Sequence, residues 1–197
     1  VKGLPRDFGF WSGDNAEILG NSNGLAPVEG EQMLHFMETN AEGPGTTSAC
    51  DMWQLIDISP FSDLIPTGNA IATLTAYFNR VQVDIETDTE FIVRICAYAG
   101  LPDTFSTQVD NSELSQEFTH LFTDSNPNSW EIASVNLSIP PNTGFLAIEI
   151  APIENIHNDI NGVEFDGHYA DGVSFVIIPE PSTLLLIALG GVVLRKK

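Results

Sequence analysis

The stretch from Ala70 to Phe78 alternates without a break. Ala72, Leu74, Ala76 and Phe78 fall on one side, and Ile71, Thr73, Thr75 and Tyr77 on the other. A period of two, built from β-branched and aromatic residues, marks a strand with one face in a core; a helix would scatter the same residues around its axis. Segment 90–99 repeats the pattern, with Phe91, Val93, Ile95 and Ala97 set against Ile92, Arg94, Cys96 and Tyr98. Further strands are predicted over 32–38, 52–58, 117–122, 130–139, 145–152 and 173–178, with a short one over 16–19. Between them stand Gly, Pro, Asn and Asp clusters, such as 20–24, 43–45, 66–69, 100–103, 124–128 and 140–144. These residues supply positive φ, fixed φ or side-chain turn bonds. No stretch ahead of Pro179 sustains a helical period. The expected fold is all-β: an antiparallel two-sheet β-sandwich, jelly-roll-like, with a short C-terminal apolar helix after it.

The chain has 197 residues, which suits one such body rather than two. With 43% hydrophobic and 17% charged residues it can build a core and is not a disordered polyelectrolyte. Its 7 basic and 27 acidic residues give a formal net charge of −20. Three of the basic residues, Arg195, Lys196 and Lys197, stand at the C-terminus. The remaining body repels polyanions, which excludes nucleic acid as a partner. Two explanations of the acidity stay open: solubility, or carboxylates that hold Ca²⁺ outside the cell.

Cys50 and Cys96 match no zinc spacing. In an oxidising compartment they either pair, which would stabilise the fold by about 4 kcal/mol on the chain-entropy model, or remain two buried thiols. The chain starts at Val1 without a charged-then-apolar leader, as expected of a mature or truncated form of an exported protein.

The C-terminal segment has a different logic. Pro179, Glu180 and Pro181 are followed by Ser182, Thr183, an uncharged run from Leu184 to Leu194, and the basic end. As a helix the run would be about 16 Å long, at roughly 1.5 Å per residue, against about 30 Å for a bilayer core. It would span only a thinned membrane, with the basic end held on the cytoplasmic side. This tail resembles the PEP-CTERM sorting signal of Gram-negative, exopolysaccharide-producing bacteria. The resemblance implies recognition by an exosortase, a membrane cysteine transpeptidase-like enzyme, and removal or transfer of the tail, with Pro179, Glu180 and Pro181 as substrate residues. It divides the chain into a body over 1–178 and a sorting tail over 179–197.

The body resembles galactose-binding-like jelly rolls, which include many carbohydrate-binding modules. The residues that carry this are the segment from Pro27 through Gly30 to Leu34 and the run Asp171, Gly172, Val173, Ser174, Phe175. The resemblance implies Asp171 as a ligand of a structural Ca²⁺, with Glu29 or Glu31 from the facing loop; solvated turn carboxylates are the alternative. A sugar site needs aromatic rings and orienting polar groups. Trp53, Tyr77, Arg94 and Tyr98 are the candidates, and Arg94, a mid-strand cation in an acidic body, is expected to pair with a carboxylate.

Catalytic signatures are absent. His35, His120, His157 and His168 show no helical metal spacing, and the acidic cluster of Glu164, Asp166, His168 and Asp171 reads either as a metal site or acid/base pair or, equally well, as an acidic turn before the last strand. The expectation is a non-enzymatic cell-envelope or matrix protein, carried transiently by the inner membrane, whose partners are an exosortase and extracellular polysaccharide. Two alternatives are a secreted glycan hydrolase or lyase on a jelly-roll scaffold, and a purely structural or adhesive matrix component.

Overall fold

Alternation of the kind seen in 70–78 forces strands to stack in pairs of sheets, because each strand has one apolar face to bury. The computed structural model describes residues 3–38, 48–81, 89–109, 112–124, 126, 128–154, 165 and 167–180. Among these residues eleven strands are found: β1 Trp11–Gly13, β2 Asn15–Leu19, β3 Met33–Glu38, β4 Ser48–Ala49, β5 Met52–Ile56, β6 Ala70–Arg80, β7 Thr89–Tyr98, β8 Ser115–Phe122, β9 Glu131–Ser138, β10 Phe145–Glu154 and β11 His168–Pro179. One sheet runs β1-β5-β10-β7-β8, with β4 also on β10; the other runs β2-β3-β11-β6-β9. Every strand pair is antiparallel. The expected two-sheet sandwich is therefore present. The short strands β1 and β4 and a one-turn helix, α1 Phe105–Gln108, lie outside the sequence expectation. The predicted C-terminal helix falls outside the described residues.

The main core sits between the sheets. Ala72, Leu74, Ala76 and Phe78 of β6 face Phe91, Val93, Ile95 and Ala97 of β7, with Leu146, Ile148 and Ile150 of β10 beside them. A second apolar layer covers part of the other face of the β5-β10-β7 sheet. There Trp53, Leu55, Cys96, Tyr98 and Phe145 are roofed by Leu4, Phe8, Phe105 and Val109. Two-sided cover explains why β7 is buried on both faces although one of them reads as less apolar in the sequence.

The turns meet at close quarters. Gly144 donates its N–H to Tyr98 O at 2.7 Å, and a Cβ there would stand 2.2 Å from Gly100 O. Gly172 has φ +55 at the irregularity between Asp171 and Ser174, and a Cβ would meet the Tyr77 ring at 2.9 Å. Both positions need glycine.

The disulfide alternative is corrected. Cys50 and Cys96 are thiols, one in the inter-sheet core and one in the outer apolar layer, on opposite faces of the sheet. Burial pushes the Cys96 thiol up to about 12; neighbouring Arg94 opposes this shift and Glu149 adds to it. From its ordinary 9.0 to about 12 the folded protein keeps a proton that the unfolded chain gives up, so stability contributed by this group falls as pH rises through that interval. At pH 8 a thiol reagent should label neither cysteine in the native protein and both in denaturant without a reductant. Two labels in the native state, or none after denaturation, would contradict the arrangement.

Candidate functional site

Four strands carry a row of side chains across the outward face of the first sheet. Phe118 of β8 lies opposite Arg94 of β7, Arg94 opposite Glu149 of β10, and Glu149 opposite Trp53 of β5. Arg94 Nε stands 2.7 Å from Glu149 Oε2 in an ion pair, and the Arg94 guanidinium carbon stands 5.4 Å from the Trp53 ring centroid. Glu149 is 1% exposed, and a carboxylate buried inside a sheet needs such partners to offset its lost hydration. Trp53 buries its ring and offers the guanidinium its π face.

Strand β8 is an edge, so its outward side chains lack a neighbour on one side. Phe118, His120 and Phe122 share that face by the period of two. Phe118 is 51% exposed and Phe122 62%. His120 Nδ1 lies 2.9 Å from Glu90 Oε2, and the Phe118 and His120 rings meet edge-on with centroids 5.1 Å apart. The result is a strip of rings flanked by two acid–base pairs, Arg94 with Glu149 and His120 with Glu90. Rings supply a surface for stacking, and the partly exposed guanidinium, imidazole and Glu90 carboxylate supply hydrogen bonds that fix orientation.

The sequence candidates are divided by this geometry. Arg94 is at the site and is paired as expected. Trp53 and Tyr98 lie on the same face but are buried, so neither ring is a stacking platform; the roof of Phe8 and Phe105 covers them. Tyr77 is on the outward face of the other sheet, opposite Asp171, with its ring over Gly172. Phe118 and Phe122 were missed, although their alternation within 117–122 is as plain as that of β6.

Asp171 does join the two segments expected of it. Its Oδ2 accepts the N–H groups of Val28 at 2.6 Å and Glu29 at 3.2 Å, and its Oδ1 accepts that of Gly172 at 2.8 Å. Glu29 contributes through its backbone, and the side chains of Glu29 and Glu31 are exposed. Hydrogen bonds thus tie the 28–29 turn to β11. Among the described residues no three His, Cys, Asp or Glu side chains converge as a metal-holding group. Glu164, Asp166 and His157 lie outside the described residues, while His168 is buried against Phe91 and Phe165.

Among the described residues, cavities open at two places on the sandwich. One, about 390 Å³, lies among the turns at one end, lined by Phe8, Ile58, Ile65, Leu101, Pro102 and Pro141 among others. Its carboxylate, Asp57, is engaged by Ser59 through both backbone and hydroxyl. The other, about 340 Å³, opens between the edge strands β1 and β2 beside Trp11, Glu17 and Gln32. Neither gathers rings and charges as the β8 strip does.

No curated protein sequence matches this chain. Solved structures similar in fold include TmCBM61 in complex with β-1,4-galactotriose (12% identity, TM-score 0.48, covering 89% of this chain and 92% of that one). The CBM22-2 xylan-binding domain from Paenibacillus barcinonensis Xyn10C is also similar (11% identity, TM-score 0.44, 88% and 94%). So is a cyclase from Fischerella sp. TAU (16% identity, TM-score 0.50, 86% and 75%). At these identities the likeness concerns fold alone. At the other end of β11, residues 178–197 match the PEP-CTERM protein-sorting motif, which marks the chain as one exported and sorted to the cell envelope or extracellular space by an exosortase.

Proposed function

We propose that this is a non-enzymatic glycan-binding component of the envelope or matrix of a Gram-negative bacterium, held transiently at the inner membrane by its tail. Its ligand on this reading is a neutral exopolysaccharide lying along β8. The observation that carries the proposal is the pair of exposed rings, Phe118 and Phe122, on one strand face beside the Arg94–Glu149 pair. Large rings exposed to water along one strand face cost free energy with nothing on them and recover it when an apolar sugar face covers them. Net charge selects the class of glycan. A body of −20 repels a uronic acid polymer, and the cation at the site already has a carboxylate partner.

The test is affinity electrophoresis of the protein through gels containing neutral or acidic bacterial polysaccharides. Wild type should be retarded by a neutral polymer. Phe118→Ala and Phe122→Ala should each weaken binding about tenfold, the equivalent of roughly 1.4 kcal/mol per ring. Retardation unchanged in the double variant would remove the site. Reducing ends released from the polymer would instead favour the hydrolase, and new unsaturated ends the lyase.

A further inference from the structure

The sorting motif begins inside the folded sheet. The motif match starts at Ile178, yet Ile178 and Pro179 are the last two residues of β11 and lie in register with Ile71 and Ala70 of β6. Glu180 continues the contact by donating its N–H to Asn69 O at 2.8 Å. Two of the three residues of the Pro-Glu-Pro signature are therefore fastened to the body, and the boundary drawn between 178 and 179 falls within a strand. Proline is tolerated there because the terminal position of a strand needs no ladder donor from it.

An enzyme that reads a peptide segment takes it as an extended chain with its backbone available. A segment already bonded to β6 cannot be taken that way. No spacer separates the two states, since the residue before the signature is itself in the ladder. What makes release feasible is the one-sided pairing of this end. Among the described residues β11 meets β3 only at Tyr169 and Ala170, so from Ser174 onward it is held by β6 alone. Outward-facing Val176 and Ile178 are exposed, and inward Phe175 and Ile177 are only partly buried. Such a strand end opens locally at a fraction of the cost of global unfolding.

We infer that the β6–β11 ladder gates exosortase access: the end of β11 must peel from β6 before the motif can be read, and Asn69, Ala70 and Ile71 set how readily it does so. This rests on the sorting-motif reading and adds to it a control built into the body.

The experiment uses the full chain with membranes containing the exosortase, following release of the tail by mass spectrometry. Ile71→Cys and Ile178→Cys together place two thiols at facing positions of adjacent strands, a separation a disulfide can bridge. The oxidised variant should be processed at least tenfold more slowly than the same variant after reduction. Equal rates in the two redox states overturn the gate. A control variant with Pro179, Glu180 and Pro181 changed to alanine separates the two levels. If it is processed like wild type, the sorting reading itself fails; if it is inert while the oxidised and reduced forms run alike, only the gate fails. Insertion of six Gly/Ser residues between Ile178 and Pro179 supplies the opposite perturbation, and should raise the rate severalfold.

Discussion

Arg94→Ala is expected to destabilise the protein by about 3–5 kcal/mol, the usual cost of leaving a buried charge without its partner. Glu149 is in the middle of β10, flanked by β7 and β5, and its side chain has almost no access to water. With the guanidinium gone, the carboxylate has to ionise in an apolar sheet or take up a proton, and both options favour the unfolded chain. For a chain of this size each kcal/mol moves the midpoint by roughly 2–4 °C, so a fall of about 6–20 °C should appear in thermal unfolding followed by circular dichroism. Arg94→Lys should lie between the two, because an ammonium keeps the charge but gives up the planar contact with Trp53. Removing both charges, with Arg94→Met and Glu149→Leu, should return most of the loss. A shift below about 2 °C for Arg94→Ala would show that the pair carries no structural load.

How much of this was legible in the chain depends on whether the information was local. The alternation in β6, β9 and β10 is local, and those strands stand close to where the pattern puts them. The pairing of Arg94 is readable because a cation in the middle of a strand of so acidic a body calls for a carboxylate. Its identity is not, because Glu149 becomes a neighbour only through the register of β10 on β7. Tyr98 lies on the less apolar face of its strand, and Trp53 shares a face with Leu55 and Asp57. That face is covered by Phe8 and by Phe105 of α1, which sit elsewhere in the sequence and carry no signal of where they dock. Asp171 was placed at the right junction, since the 28–29 turn does reach it, but the bond is made with backbone N–H donors. Phe118 and Phe122 are readable as one face of a strand, but a large aromatic in a sandwich is ordinarily core, and nothing in their pattern marks them as exposed. Their exposure follows from β8 being an edge, which only the sheet order reveals.

Phe91→Ala and Phe118→Ala should have opposite consequences, although both remove the same ring and the two residues lie on adjacent strands. Phe91 is fully buried between the sheets, stacked on Phe78 with centroids 4.7 Å apart and close to Phe36 and His168. Its loss opens a cavity that a close-packed core cannot refill, at about 3–5 kcal/mol. The midpoint should fall by about 6–20 °C, while the fraction still folded binds glycan as wild type does. Phe118 loses little packing when truncated, because half of the ring already faces water and its contact is with the exposed His120. Its alanine variant should stay within about 0.5 kcal/mol of wild type in denaturant titration, and yet bind neutral polysaccharide about tenfold more weakly. The comparison divides the rings that make the sandwich from those that use it. If Phe118→Ala proved as destabilising as Phe91→Ala, the ring would be structural, its exposure would need no ligand to explain it, and the binding strip along β8 would lose its foundation.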